Sequence, residues 1–107
     1  MQTAFLTAIS ELAAADKNVL FMTADNGTDY DVLFSRNYPE QYFNLGIAEN
    51  NLVGMAAGCA SCGKVPFVMS GSAFLAYRSC EQIRDDVCLQ NRNVKLVGFG
   101  AGFSIAR

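Results

Sequence analysis

The chain has no histidine in its 107 residues. That absence excludes Ser-His-Asp and Cys-His catalysis and removes the commonest metal ligand. Acid and base work therefore falls to its ten carboxylates or to a cofactor. Long apolar runs are missing too. The longest weakly polar stretch, Leu52 to Gly63, is too short to cross a bilayer and too rich in glycine and alanine for an anchor. The opening Met1-Gln2-Thr3-Ala4-Phe5 has neither the basic start nor the cleavage site of a signal peptide. The expectation is a soluble, cytoplasmic protein with no membrane partner. Positive charge is nowhere concentrated: the eight Lys and Arg are scattered and the net charge is −2. Nucleic-acid binders gather cations on one face, so that class is excluded as well.

What is present describes a small globular domain, 51% apolar and 17% charged. Four cysteines stand at positions 59, 62, 80 and 88. Cys59 and Cys62 have zinc or redox spacing, but positions 80 and 88 are too far apart to complete a four-thiolate site. The first pair lies among alanines in a helical stretch, which favours small buried thiols in a reducing compartment, and no metal is expected.

Phe5, Ala8, Ile9, Leu12 and Ala13 recur at helical spacing over residues 3 to about 15. Val19 to Thr23 is a short apolar run before the turn residues Asp25-Asn26-Gly27, and it reads as a buried strand. A helical turn or two follows over Asp31 to Ser35. Tyr42 to Leu45 is a second strand, then a slim helix runs from Ala48 to about Cys62 and stops at Gly63. Pro66 to Ser70 is a third strand. A helix from about Ala73 to Gln90 comes next, with Cys80, Ile83 and Val87 on its apolar face. Val94 to Gly98 is a fourth strand. Alternation of this kind predicts an α/β fold, a parallel sheet with helices on both faces. No helix follows the fourth strand, so residues 1–107 read as one domain truncated at its C-terminus.

Ligands of parallel sheets gather at the strand exits. Glu49 stands at one of them, in the first turn of an apolar helix; by position alone it is an ordinary helix-start glutamate favoured by the dipole. Gly98-Phe99-Gly100-Ala101-Gly102 invites a dinucleotide reading, which fails because position 103 is Phe and the strand is the last one. A tight, glycine-rich strand exit is the better reading. Arg78 and Arg84 could touch a substrate phosphate, but each falls near acidic residues on a helix, and surface pairing is the safer default.

The stretch Gln41-Tyr42-Phe43-Asn44-Leu45-Gly46-Ile47-Ala48-Glu49-Asn50-Asn51-Leu52-Val53-Gly54-Met55-Ala56-Ala57-Gly58 resembles the signature of transketolases. Thr23-Ala24-Asp25, Glu81-Gln82-Ile83-Arg84 and Asn93 to Gly98 add to the resemblance in order and with matching spacing. Its start at Met1 resembles the separate C-terminal subunit of split transketolases. The resemblance implies a thiamine-diphosphate-binding domain of the pyrimidine type. It gives Glu49 a catalytic and cofactor-binding role: its carboxyl hydrogen-bonds a ring nitrogen of the aminopyrimidine and so promotes loss of the cofactor's C2 proton. Phe74 matches a position that stacks on the pyrimidine, and Tyr77 is a second wall; each also fits plain core packing. Cys80 stands where the family has a further aromatic. Asp25 resembles an aspartate near the cofactor and fits a turn-stabilising role equally well.

The glycine-aspartate-glycine and asparagine motif that holds diphosphate and Mg²⁺ in this family has no match here. The family's downstream histidines are absent as well. The resemblance therefore implies a transferase subunit that is inactive without a partner carrying the diphosphate domain, in a homo- or hetero-oligomer. It would move a two-carbon ketol unit between sugar phosphates. The alternatives are a component like deoxyxylulose-phosphate synthase or a keto-acid dehydrogenase beta chain, or a non-catalytic fragment that only binds partner chains.

Overall fold

A computed structural model of the chain describes residues 2–102. Helix α1 spans Gln2–Ala15 and leads into strand β1, Val19–Thr23. Helix α2, Asp29–Asn37, crosses to β2, Tyr42–Asn44. Helix α3, Glu49–Ser61, crosses back to β3, Val65–Gly71. Helix α4, Ser72–Arg78, the short turn α5, Cys80–Gln82, and a π-helical segment, Ile83–Cys88, lead to β4, Lys95–Phe99. The four strands are all parallel, in the order β2-β1-β3-β4.

Because β2 and β3 flank β1 on opposite sides, crossovers of one hand put α2 and α3 on opposite faces of the sheet. Period-2 alternation along β1 feeds both faces. Val19 and Phe21 pack with Leu6, Ile9 and Ala13 of α1 and Phe34 of α2. Leu20 and Met22 pack with Leu52, Val53, Ala56 and Ala57 of α3, and with Leu75 and Val87 beyond it. The α1/α2 face is an aromatic cluster, with Phe21 edge-on to Phe34 at 5.1 Å. The expected helices on both faces are there.

Gln41 fixes the β2 end of this frame. It is buried, and its Nε2 donates to the carbonyls of Ala13, Asp16 and Val19 while its own carbonyl accepts from Phe21. At the other edge, a Cβ on Gly98 would lie 2.6 Å from Ser72 Oγ and 3.2 Å from Ser72 Cα. Glycine there lets β4 close on the β3–α4 junction, where Ser72 Oγ donates to the Phe99 carbonyl.

Two expectations need correction. The single helix over residues 73–90 is broken at Ser79, whose φ of −106° and ψ of 15° leave the helical region. Beyond it the winding widens, with Leu89 N–H bonding Arg84 O and Arg92 N–H bonding Val87 O. The break turns Cys80 outward, while Val87 stays buried. The buried-thiol reading of the first pair fails for Cys62 and holds in part for Cys59, which packs half-buried against the core; Cys80 and Cys88 are exposed, and all four are free. The stripe Leu52, Val53, Ala56 and Ala57 takes the sheet-facing side of α3, leaving Cys59 at its margin and Cys62 past the helix end. Among the described residues no helix is long and apolar enough to cross a membrane, and no three His, Cys, Asp or Glu side chains cluster as a metal site.

Candidate functional site

The order β2-β1-β3 reverses the direction of chain travel at β1, and such a reversal opens a crevice at the strands' C-terminal ends. A cavity of about 260 Å³ lies there. Ala24, Asp25 and Asn26 reach it from the β1 exit, Glu49 from the β2 exit, Ser70 from β3, and Phe74 and Arg78 from α4.

The backbone route to Glu49 is set residue by residue. Leu45 N–H bonds Thr23 O, holding the β2 exit beside β1. Gly46 then adopts a φ of +74°, a left-handed turn that favours glycine. Ala48 N–H folds back on Gly46 O, and α3 begins at Glu49 with an alanine at its N-cap. No side-chain oxygen is available there to cap the helix.

Glu49 is 3% exposed. Ser70 Oγ donates to its Oε1 at 3.3 Å, and Arg78 Nη1 donates to its Oε2 at 3.0 Å. Burial pushes the Glu49 pKa up. The Arg78 hydrogen bond, the residue's own backbone N–H, the Arg78 charge and Ser70 together outweigh that, and the carboxyl lies below its ordinary value. Arg78 is half-exposed, and its guanidinium carbon sits 4.3 Å above the centre of the Phe74 ring. Spacing explains the contact, since residues four apart share one helix face.

Asp25 has a φ of +55° and forms a reciprocal pair with Asn44: its N–H donates to Asn44 Oδ1 at 3.0 Å and its Oδ1 accepts from Asn44 Nδ2 at 3.1 Å. Asn44 Oδ1 also accepts from Gly46 N–H, so one amide ties the β1 and β2 exits to the loop that launches Glu49. Asn26 Nδ2 donates to Met69 O, tying the β1 exit to β3.

Three of the four sequence-predicted site residues, Glu49, Phe74 and Asp25, thus face one cavity. Tyr77 does not. It is 84% exposed and lines a neighbouring groove with Ser72, Gly100 and Gly102, a groove that Phe74 also borders. Gly100 and Gly102 both have positive φ, as a tight strand exit requires. Arg78 departs from the surface-pairing expectation by reaching across to a buried acid; Arg84, exposed and 3.8 Å from Asp85, follows it. Ser70 and Asn44 are not singled out by the sequence reading, which weighs Arg78 only for substrate phosphate. The interval from Phe74 to Arg78 was the one signal that pointed to the arginine.

Chemically, Glu49 and Phe74 offer a buried carboxylate beside an aromatic face. The guanidinium they hold shows what suits them: a flat, nitrogen-rich group that donates hydrogen bonds in its plane. An aminopyrimidine has that flat shape and an in-plane amino donor, though its ring nitrogens accept.

The sequence matches the family described as transketolase, pyrimidine binding domain, over residues 1–107. The chain belongs to that family. A putative transketolase C-terminal section from Methanocaldococcus jannaschii is 37% identical over 106 residues, covering 98% of this chain and 34% of the relative. A 1-deoxy-D-xylulose-5-phosphate synthase from Carboxydothermus hydrogenoformans is 46% identical over 89 residues, covering 81% of this chain and 14% of that protein. Among solved structures, a split-gene transketolase described as an inactive beta4 tetramer superposes with a TM-score of 0.81 and 36% identity, covering 91% of this chain and 33% of that one. This transketolase-family chain spans 23–34% of the length of the curated transketolase relatives it matches.

Proposed function

We propose that this chain supplies the pyrimidine side of a thiamine-diphosphate site in a transketolase-type enzyme that moves a two-carbon ketol unit between sugar phosphates. The observation that carries the reading is Glu49: a carboxylate 3% exposed, at a strand exit, sharing a cavity with the half-exposed ring of Phe74. When bound, thiamine diphosphate supplies the electron sink for breaking the carbon–carbon bond next to a ketone. The protein's part is placement and proton control. Phe74 offers its face to the pyrimidine ring, and the Glu49 carboxyl holds a proton against a ring nitrogen. Asp25 and Asn44 keep the two strand exits at a fixed separation, so that the carboxyl is aimed by rigid elements. That acid is enough for a chain without histidine, because the proton acceptor for the reacting carbon belongs to the cofactor.

The diphosphate and its Mg²⁺ would be held by a partner subunit or domain, with the sugar phosphates bound between the two. Subunit-type names among the relatives support a partnered, oligomeric assembly. Four unpaired cysteines fit a reducing compartment such as the cytoplasm. The test is co-purification with a chain carrying the diphosphate domain, followed by a ketol-transfer assay with and without thiamine diphosphate. Transfer that needs both the partner and the cofactor is expected. An assembled pair that neither binds the cofactor nor transfers the ketol unit overturns the reading. A second reading, a component of a 1-deoxy-D-xylulose-5-phosphate synthase, is favoured by the 46% identity to one such enzyme, and product analysis in the same assay separates the two.

A further inference from the structure

Arg78 holds both surfaces that the functional reading assigns to the pyrimidine. Its Nη1 is 3.0 Å from Glu49 Oε2, and its guanidinium carbon is 4.3 Å from the centre of the Phe74 ring. Flat groups in contact stack about 3.5 Å apart, so a ring inserted between Phe74 and the guanidinium would need roughly 7 Å of separation. The gap is too small for both. A pyrimidine and Arg78 therefore exclude each other.

We propose that Arg78 is a displaceable stand-in for the aminopyrimidine: its guanidinium covers Phe74 and neutralises Glu49 until the ring enters, and then swings out to solvent. The proposal rests on the functional reading above. The side chain is built for such a move. It is half-exposed, so water lies at hand to receive its charge. It is the last residue of α4, directly before the break at Ser79. Planarity lets arginine stack on Phe74 as a flat ring would, which lysine cannot do.

Displacement also changes the acid. Around the Glu49 carboxyl stand Arg78 from α4, Ser70 from β3 and Asp25 at the β1 exit, and Arg78 is the only cation among them. Once it leaves, burial is opposed only by the Ser70 hydroxyl and the residue's own N–H, and the carboxyl's hold on a proton rises. The entering ring thus meets an acid better able to share a proton with its nitrogen.

The test titrates the full chain with the hydroxymethyl aminopyrimidine fragment of thiamine, followed by ligand NMR, in the wild type, Arg78→Ala and Arg78→Lys. A site occupied by its own side chain most of the time lowers apparent affinity by the fraction of open molecules. Arg78→Ala is expected to bind about tenfold tighter than wild type on that basis, and Arg78→Lys by a smaller factor. The Lys variant keeps a cation beside Glu49, so it guards against misfolding of the Ala variant around an unpaired acid. A carbon-13 titration of the Glu49 carboxyl is expected to move upward in Arg78→Ala. Unchanged or weaker binding by both variants, with binding still dependent on Glu49, overturns the displacement proposal alone. Binding insensitive to Glu49→Gln in every background, or no binding in any, overturns the functional reading and this proposal with it.

Discussion

Two acids in this chain occupy equivalent places and bond to different partners. Asp31 and Glu49 each lie in the first turn of a helix, α2 and α3, and are 7% and 3% exposed. Asp31 closes on its own turn: Thr28 N–H donates to its Oδ2, and Asp31 N–H donates to Thr28 Oγ1. Together they form a reciprocal capping box. Glu49 follows an alanine that cannot cap, and its oxygens reach Ser70 and Arg78 on other elements, with the carboxyl at a cavity wall. Burial and helix position are shared, so neither separates the two roles. The origin of the partners does: Asp31 bonds within its own turn and shapes the helix start, whereas Glu49 is held by β3 and α4, an arrangement that suits the role proposed for it.

The strongest way to break this contrast is Glu49→Gln. Glutamine keeps the shape and can still accept a bond from Arg78, but it cannot share a proton with a ring nitrogen. In the chain assembled with its diphosphate partner, exchange of the thiamine diphosphate C2 hydrogen should fall by about a hundredfold or more, on the scale of lost acid–base assistance. The fold should survive, as judged by an unchanged circular dichroism spectrum. Undiminished exchange would show that the hold of β3 and α4 on this carboxyl is incidental. The matched substitution, Asp31→Ala, should do the reverse. It removes the return half of the capping box, the bond from Thr28 N–H, at a cost of about 1 kcal/mol, read from denaturant midpoints, and leaves C2 exchange unchanged. The cost stays modest because Asp31 Oδ1 has no hydrogen-bond partner among the described residues, which offsets part of the cap's contribution. A tenfold loss of cofactor affinity in Asp31→Ala would erase the distinction.

Much of this was legible beforehand, for local reasons. Each strand and most helix bounds follow from short-range periodicity, and the glycine at position 46 marks the turn that launches Glu49. The capping box was also written in the chain, as Thr28 followed three residues later by Asp31, yet the helix was expected to begin only at Asp31; it begins at Asp29. What local patterns did not carry is long-range. The bond between Arg78 and Glu49 joins residues from different crossovers, and nothing near either one announces the other. The break at Ser79 was hidden because apolar spacing at Ile83 and Val87 continues through it. Tyr77 lies in a groove next to the Glu49 cavity, with Phe74 bordering both.

The smallest expected effect sharpens the contrast through pH. Burial raises the Glu49 pKa, but Arg78, the backbone N–H and Ser70 bring it below the ordinary 4.5 in the folded chain. The unfolded chain therefore binds this proton more tightly than the folded one, and unfolding is favoured as acid is added. The stability contributed by ionised Glu49 is fully present above about pH 4.5 and is lost as pH falls through the lower folded value. Glu49→Gln lacks that titration, so its deficit relative to wild type should be greatest near neutral pH and should shrink on acidification. Urea midpoints of the two proteins at several pH values measure the difference. A deficit that grows toward low pH would mean that burial, not the pairing with Arg78, dominates the carboxyl. In that case Glu49 would already be inclined to hold a proton with Arg78 in place, and displacement of Arg78 would have little left to change.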